Sequence, residues 1–171
     1  MSRLAVLENG IFGMFLLAAA WQDFRAKAVE RRVYLGFGTA AVVWNLAVMG
    51  SMLAGPGAGY GWGGVVRLLW GRAVSMLPGA GLLVLNRVSR GSIGKGDGWF
   101  FLVSGLLLDA LRNLALLCCG VLLCGLYCLG YLVYRRFREQ GNFDSGRRTV
   151  AFLPFVALAE AGMLIGRLAA G

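Results

Sequence analysis

Apolar and polar positions fall in long blocks along this chain. Six apolar runs, at about 4–21, 33–54, 65–86, 98–111, 113–134 and 149–169, are separated by short polar or glycine-rich links. Most approach the roughly 20 residues that a membrane-spanning helix needs. Lipid offers no partner for backbone N–H and C=O groups, so runs of this kind form helices rather than strands. The expected fold is all-α: a polytopic membrane protein of six transmembrane helices, forming a single domain over 1–171. The fourth run stands apart. Its 14 residues make about 21 Å of helix, short of a hydrocarbon core of about 30 Å. Either the bilayer thins there, or an acid at one end, Asp97 or Asp109, lies below the headgroups.

The basic residues orient these spans. Arg25, Lys27, Arg31 and Arg32 follow the first run, Arg87, Arg90 and Lys95 follow the third, and Arg135, Arg136, Arg138, Arg147 and Arg148 follow the fifth. The second link, 55–64, has none, and the fourth has only Arg112. The positive-inside rule therefore places both chain ends outside and the three basic links in the cytoplasm. Tyr60 and Trp62 in the second link suit a membrane interface. Arg67 and Arg72, near the outer end of the third run, are expected to snorkel to the surface. Pro78 is expected to kink that helix.

Composition sharpens this picture. Hydrophobic residues make up 58% of the 171 and charged residues only 15%, too little polar surface for a water-soluble domain. The net charge of +9 would elsewhere point to nucleic acid, but here it is divided among three short links and reads as topology. With no histidine in the chain, a Ser-His-Asp triad, a Cys-His pair and a histidine metal site are excluded. Cys118, Cys119, Cys124 and Cys128 share one apolar run without paired Cys-x-x-Cys spacing, and read as packing residues. The first run is followed by Gln22-Asp23-Phe24-Arg25 and not by a small-residue cleavage site, so it is expected to remain in the mature protein.

The candidate chemistry lies in Ser92-Ile93-Gly94-Lys95-Gly96-Asp97-Gly98-Trp99-Phe100. It reads as a glycine-rich turn that allows positive φ and close backbone approach, and it runs into the short fourth helix. A carboxylate at the mouth of a span costs roughly 2.5–3.5 kcal/mol on insertion scales and is functional by default. Asp23 ends the first run as Asp97 begins the fourth, so parity puts both at the cytoplasmic face. Two carboxylates sharing a site do not both ionise cheaply, so one holds a proton while the other acts as a base. Such a pair activates water against a peptide carbonyl and protonates the leaving amine, with no metal, cofactor or histidine. The structural alternatives are a favourable helix-dipole position for Asp97 and a solvated pairing of Asp23 with Arg25 or Lys27. Among the other acids, Asp109 is expected to pair with Arg112 at i, i+3. Glu160 is expected to make a buried structural contact, the alternative being part of a proton path. Glu30, Glu139 and Asp144 read as solvated cytoplasmic surface.

These residues resemble the type IV prepilin peptidases, membrane aspartic peptidases that remove leader peptides from pilin-like proteins. Asp23-Phe24-Arg25-Ala26-Lys27-Ala28-Val29 is similar to the family's Asp-x-Arg motif at the end of an early span. Gly94-Lys95-Gly96-Asp97 is similar to its Gly-x-Gly-Asp, and Phe152-Leu153-Pro154-Phe155 to its Phe-x-Pro-Phe. Trp99 stands where members often carry lysine, and Glu30 where a proline often follows the first motif. Nothing corresponds to the methylating region of the larger members, so the chain looks like the small, peptidase-only form. The resemblance implies that Asp23 and Asp97 are the catalytic pair. It also implies that Gly94, Lys95, Gly96 and Arg25 shape the turn or bind substrate, and that no cofactor or metal is used. The implied partner is a prepilin-like membrane protein with a short basic leader, cut at the cytoplasmic face of the cell membrane beside a glycine. Glu30, Glu139 or Asp144 would be placed to meet that leader.

Two other readings stand beside this one. A presenilin-like intramembrane protease also uses Gly-x-Gly-Asp, but its first aspartate follows tyrosine deep in a span, whereas Asp23 follows Gln22 and borders a basic link. A non-enzymatic transporter or assembly subunit would use Asp109 or Glu160 as an ion route, but the chain lacks hydropathy symmetry and paired broken helices.

Overall fold

The structure is a computed structural model that describes residues 3–26, 29–55, 61–89, 94–138 and 150–170. The described residues form six α-helices and no strand: α1 (Arg3–Ala26), α2 (Arg31–Ala54), α3 (Trp62–Val88), α4 (Lys95–Ser104), α5 (Ala110–Arg138) and α6 (Leu153–Ala170). Lys27, Ala28, Tyr60, Arg90, Ser92, Ile93, Glu139, Asp144, Arg147 and Arg148 lie outside the described residues. Three helices, α2, α3 and α5, are long and apolar enough to cross a membrane. Their outward faces fit that reading, since Trp70, Val84, Leu122, Leu126 and Leu132 are exposed. A continuous apolar surface of this kind is lipid-facing or aggregates in water.

Small residues set the closest helix pair. At Gly79 of α3 an added Cβ would overlap the Leu102 backbone of α4, and one at Gly105 would stand 2.6 Å from the Ser75 carbonyl oxygen. The two backbones therefore touch, as small residues allow where van der Waals packing drives association. Around this pair the core is aromatic: Phe12, Phe15, Phe100 and Phe101 are buried, and the Phe15 and Phe100 rings stack at 4.9 Å. Helix α3 continues through Pro78.

The fourth apolar run differs most from expectation. Helix α4 ends at Ser104, residues 105–109 leave the helix, and α5 starts at Ala110 rather than 113. Ten residues give about 15 Å of helix, half of a hydrocarbon core of about 30 Å. The segment turns because polar side chains take up its free backbone groups. Ser75 Oγ donates to the Leu108 carbonyl at 2.7 Å, Arg72 Nη1 to the same oxygen at 3.2 Å, and Asn45 Nδ2 to the Leu106 carbonyl at 2.9 Å. Asn113 Nδ2 donates to the Ser75 and Phe101 carbonyls at 2.7 and 3.0 Å, and Asn113 Oδ1 accepts from Ser104 Oγ at 2.7 Å. Irregular backbone is tolerated at membrane depth only when buried in protein in this way.

Two expected contacts are corrected here. Arg72 does not snorkel: it is tied to Glu8 of α1 and donates to Asn45 Oδ1 at 3.0 Å, whereas Arg67 is exposed. Arg112 does not pair with Asp109. It turns inward to Glu160 and Asn9, and Asp109 is exposed. A charge that stays within the apolar body is stabilised by a buried partner, and Glu160 supplies one from α6.

Candidate active site

Four helix ends meet at one end of the bundle. Asp23 lies in the last turn of α1, Tyr34 in the first turn of α2, Asp97 in the first turn of α4, and Leu153 opens α6. The Glu30 N–H, just ahead of α2, donates to Gln22 Oε1 near the end of α1 at 3.0 Å.

Asp23 is buried, and its Oδ2 accepts the Leu153 N–H at 2.9 Å. That N–H is one of the donors a helix start leaves without an internal partner. Pro154, the next residue, has no N–H to satisfy and suits a first turn. The Phe152-Leu153-Pro154-Phe155 segment thus holds one oxygen of Asp23 and fixes the carboxylate in orientation.

Asp97 is the third residue of α4, where the helix dipole favours an acid. Its carboxylate folds back over Gly94, at which an added Cβ would stand 2.7 Å from Oδ2. In this polar first turn, ahead of the apolar stretch, burial pushes the Asp97 carboxyl up to about 7, and the nearby Asp23 charge adds to the shift. The two carboxylates therefore share an electrostatic site. Tyr34 completes it, donating from its hydroxyl to the Gly96 carbonyl at 3.0 Å.

The glycines act through size. Gly94 has φ −60°, and Gly96 is already helical, so neither adopts the positive φ expected of a turn. Among the described glycines only Gly61 has positive φ. At Gly96 an added Cβ would stand 3.1 Å from the Tyr34 hydroxyl, so glycine is what lets that hydroxyl reach the α4 backbone. Lys95 is exposed beside them. Arg25 is exposed too, with its guanidinium 5.3 Å from the centre of the Trp21 ring. Comparison with protein-family models, curated proteins and solved structures finds no match to this chain.

Tyr34 and the Leu153 N–H are the site groups that sequence reasoning did not assign. A lone tyrosine at the start of a span reads as an interface anchor, and nothing in its neighbours signals a contact 62 positions away. The Leu153 N–H had a faint signal in Pro154, which marks where a helix begins.

Next to the carboxylates a groove of about 870 Å³ runs between α2 and α4. Tyr34, Gly96, Arg31 and Lys95 line its polar end, and Val42, Val103 and Leu106 line its apolar length.

Proposed function

We propose that this chain is a membrane aspartic peptidase of the prepilin-peptidase kind, removing a short basic leader from a pilin-like protein. The observation that carries the reading is that Asp23 and Asp97, from helices far apart in sequence, lie at one end of the bundle, Asp23 holding the Leu153 N–H and Gly96, beside Asp97, holding the Tyr34 hydroxyl, so that the charge of one bears on the other. In this reading all six helices belong to the membrane body, α4 entering it only part-way. Both chain ends face outside, and the carboxylates face the cytoplasm.

The chemistry follows from the two environments. Asp97, the carboxyl held up to about 7, carries the proton. Asp23, oriented by the Leu153 N–H, is the base. Water loses a proton to Asp23 as its oxygen bonds to the scissile carbonyl carbon, while Asp97 gives its proton to the carbonyl oxygen. The C–N bond then breaks as the amine takes the proton from Asp23, and the hydroxyl proton returns to Asp97. The products are an acid and an amine, and the pair is restored. The acids a transporter would need are otherwise engaged or exposed, since Glu160 is held by Arg112 and Asp109 lies at the surface.

The test is leader removal from co-expressed pilin-like substrates in membranes. Asp23→Asn and Asp97→Asn, each at wild-type expression, should lower cleavage by about 10²–10⁴-fold, the usual worth of a positioned acid or base. Normal cleavage by both variants would make the aspartates structural and end the peptidase reading.

A further inference from the structure

We infer that the groove between α2 and α4 seats the apolar helix of the substrate, so that the peptide just before that helix reaches the carboxylates. The inference rests on the peptidase reading above and names where its substrate lies.

Continuity with the site comes first. Tyr34 and Gly96 belong both to the groove wall and to the carboxylate cluster: they are joined at 3.0 Å, and Asp97 follows Gly96 directly. A helix lying along Val42, Val103 and Leu106 therefore ends at Gly96, and the next residues of the chain pass Asp97. The groove also suits an apolar helix. Leu35, Val43 and Trp99 stand exposed on its lips, and Gly38 on α2, with only Val103 near an added Cβ, leaves room along that wall.

Charge orients the occupant. Arg31 and Lys95 put two positive charges at the polar mouth. A basic leader is repelled from that mouth, whereas a neutral or acidic first turn of the apolar helix is accepted there. The helix therefore lies in the groove, and the basic segment lies beyond the carboxylates. An anionic lipid shares that polarity and is the rival occupant; it would leave the groove positions without a substrate adduct.

Photo-crosslinking tests the assignment with the full-length protein in membranes. Benzoylphenylalanine is placed at Leu35 or Val42 in the groove, or at Leu126, an exposed residue of α5. Each variant is co-expressed with a panel of single-helix proteins bearing a short basic leader. The groove positions should give a substrate adduct and Leu126 none. As a second measurement, Gly38→Phe should lower leader removal about tenfold at unchanged expression. Adducts from Leu126 and none from the groove, with the leader still removed, would overturn the groove and leave the peptidase reading intact. No leader removal by wild type across the panel would overturn both.

Discussion

The raised carboxyl of Asp97 gives the site a defined dependence on pH. Asp97 holds its proton to about 7 in the folded protein, against an ordinary value of 3.8. If it is the acid of the pair, cleavage should fall by about tenfold for each pH unit above that point. A profile flat from pH 6 to 9 would take the proton away from Asp97. The same shift acts on stability. The unfolded chain gives up this proton near 4 and the folded one near 7, so its contribution is complete below about 4 and is lost as pH rises through 7. Asp97→Asn should therefore unfold at a higher temperature than wild type at pH 8, with the gap closing toward pH 4. Arg112 and Glu160 set a different kind of constraint. Arg112→Ala leaves Glu160 buried without its counter-charge and should cost about 3–5 kcal/mol of stability in detergent. Adding Glu160→Leu should restore much of that loss, because it removes the stranded charge. A double variant no better than the single would show that the pair does more than neutralise itself.

At the scale of helices, the α3–α4 contact depends on the absence of side chains. Gly79→Leu would push α4 off α3 and should cost about 1–3 kcal/mol or more, seen as a lower unfolding temperature. Substitution at Gly81, where an added Cβ meets nothing within 4 Å, is the control and should change little. The apolar blocks made α2 and α3 legible within two or three residues, because composition decides burial in lipid and little else competes. They misplaced the end of α4, since Leu106, Leu107 and Leu108 continue the apolar pattern while the backbone there leaves the helix. What ends the helix is Ser75, Arg72 and Asn45, polar side chains on other elements. No local pattern in 98–111 contains them. The Asp109–Arg112 expectation failed for a related reason: sequence spacing proposes the near partner, and the fold supplies Glu160 from 48 residues away.

For the molecule as a whole, the packing of α1, α2, α4 and α6 brings the two aspartates to one end of the bundle. The sequence expectation of that proximity came from counting six alternating spans, of which α2, α3 and α5 are long and apolar enough to cross a membrane. The orienting groups were not readable in this way, because a hydrogen bond between Asp23 and a helix start 130 residues later depends on how α1 and α6 lean together. The halves of the bundle are also unequal in height. Along the α2–α4 side, about 15 Å of α4 stands beside 24 residues of α2, and within α4 only Lys95 and Trp99 are exposed, so the wall that α4 itself presents is low. Acyl chains beside the low wall must compress or tilt, at a fraction of a kcal/mol for each ångström of mismatch. On the proposed peptidase reading, the protein reconstituted in short-chain phosphatidylcholine should cleave substrate faster than in long-chain lipid at equal substrate density. On that reading its rate reports the thickness of the surrounding bilayer, and lipid composition acts as a regulator of the proposed activity.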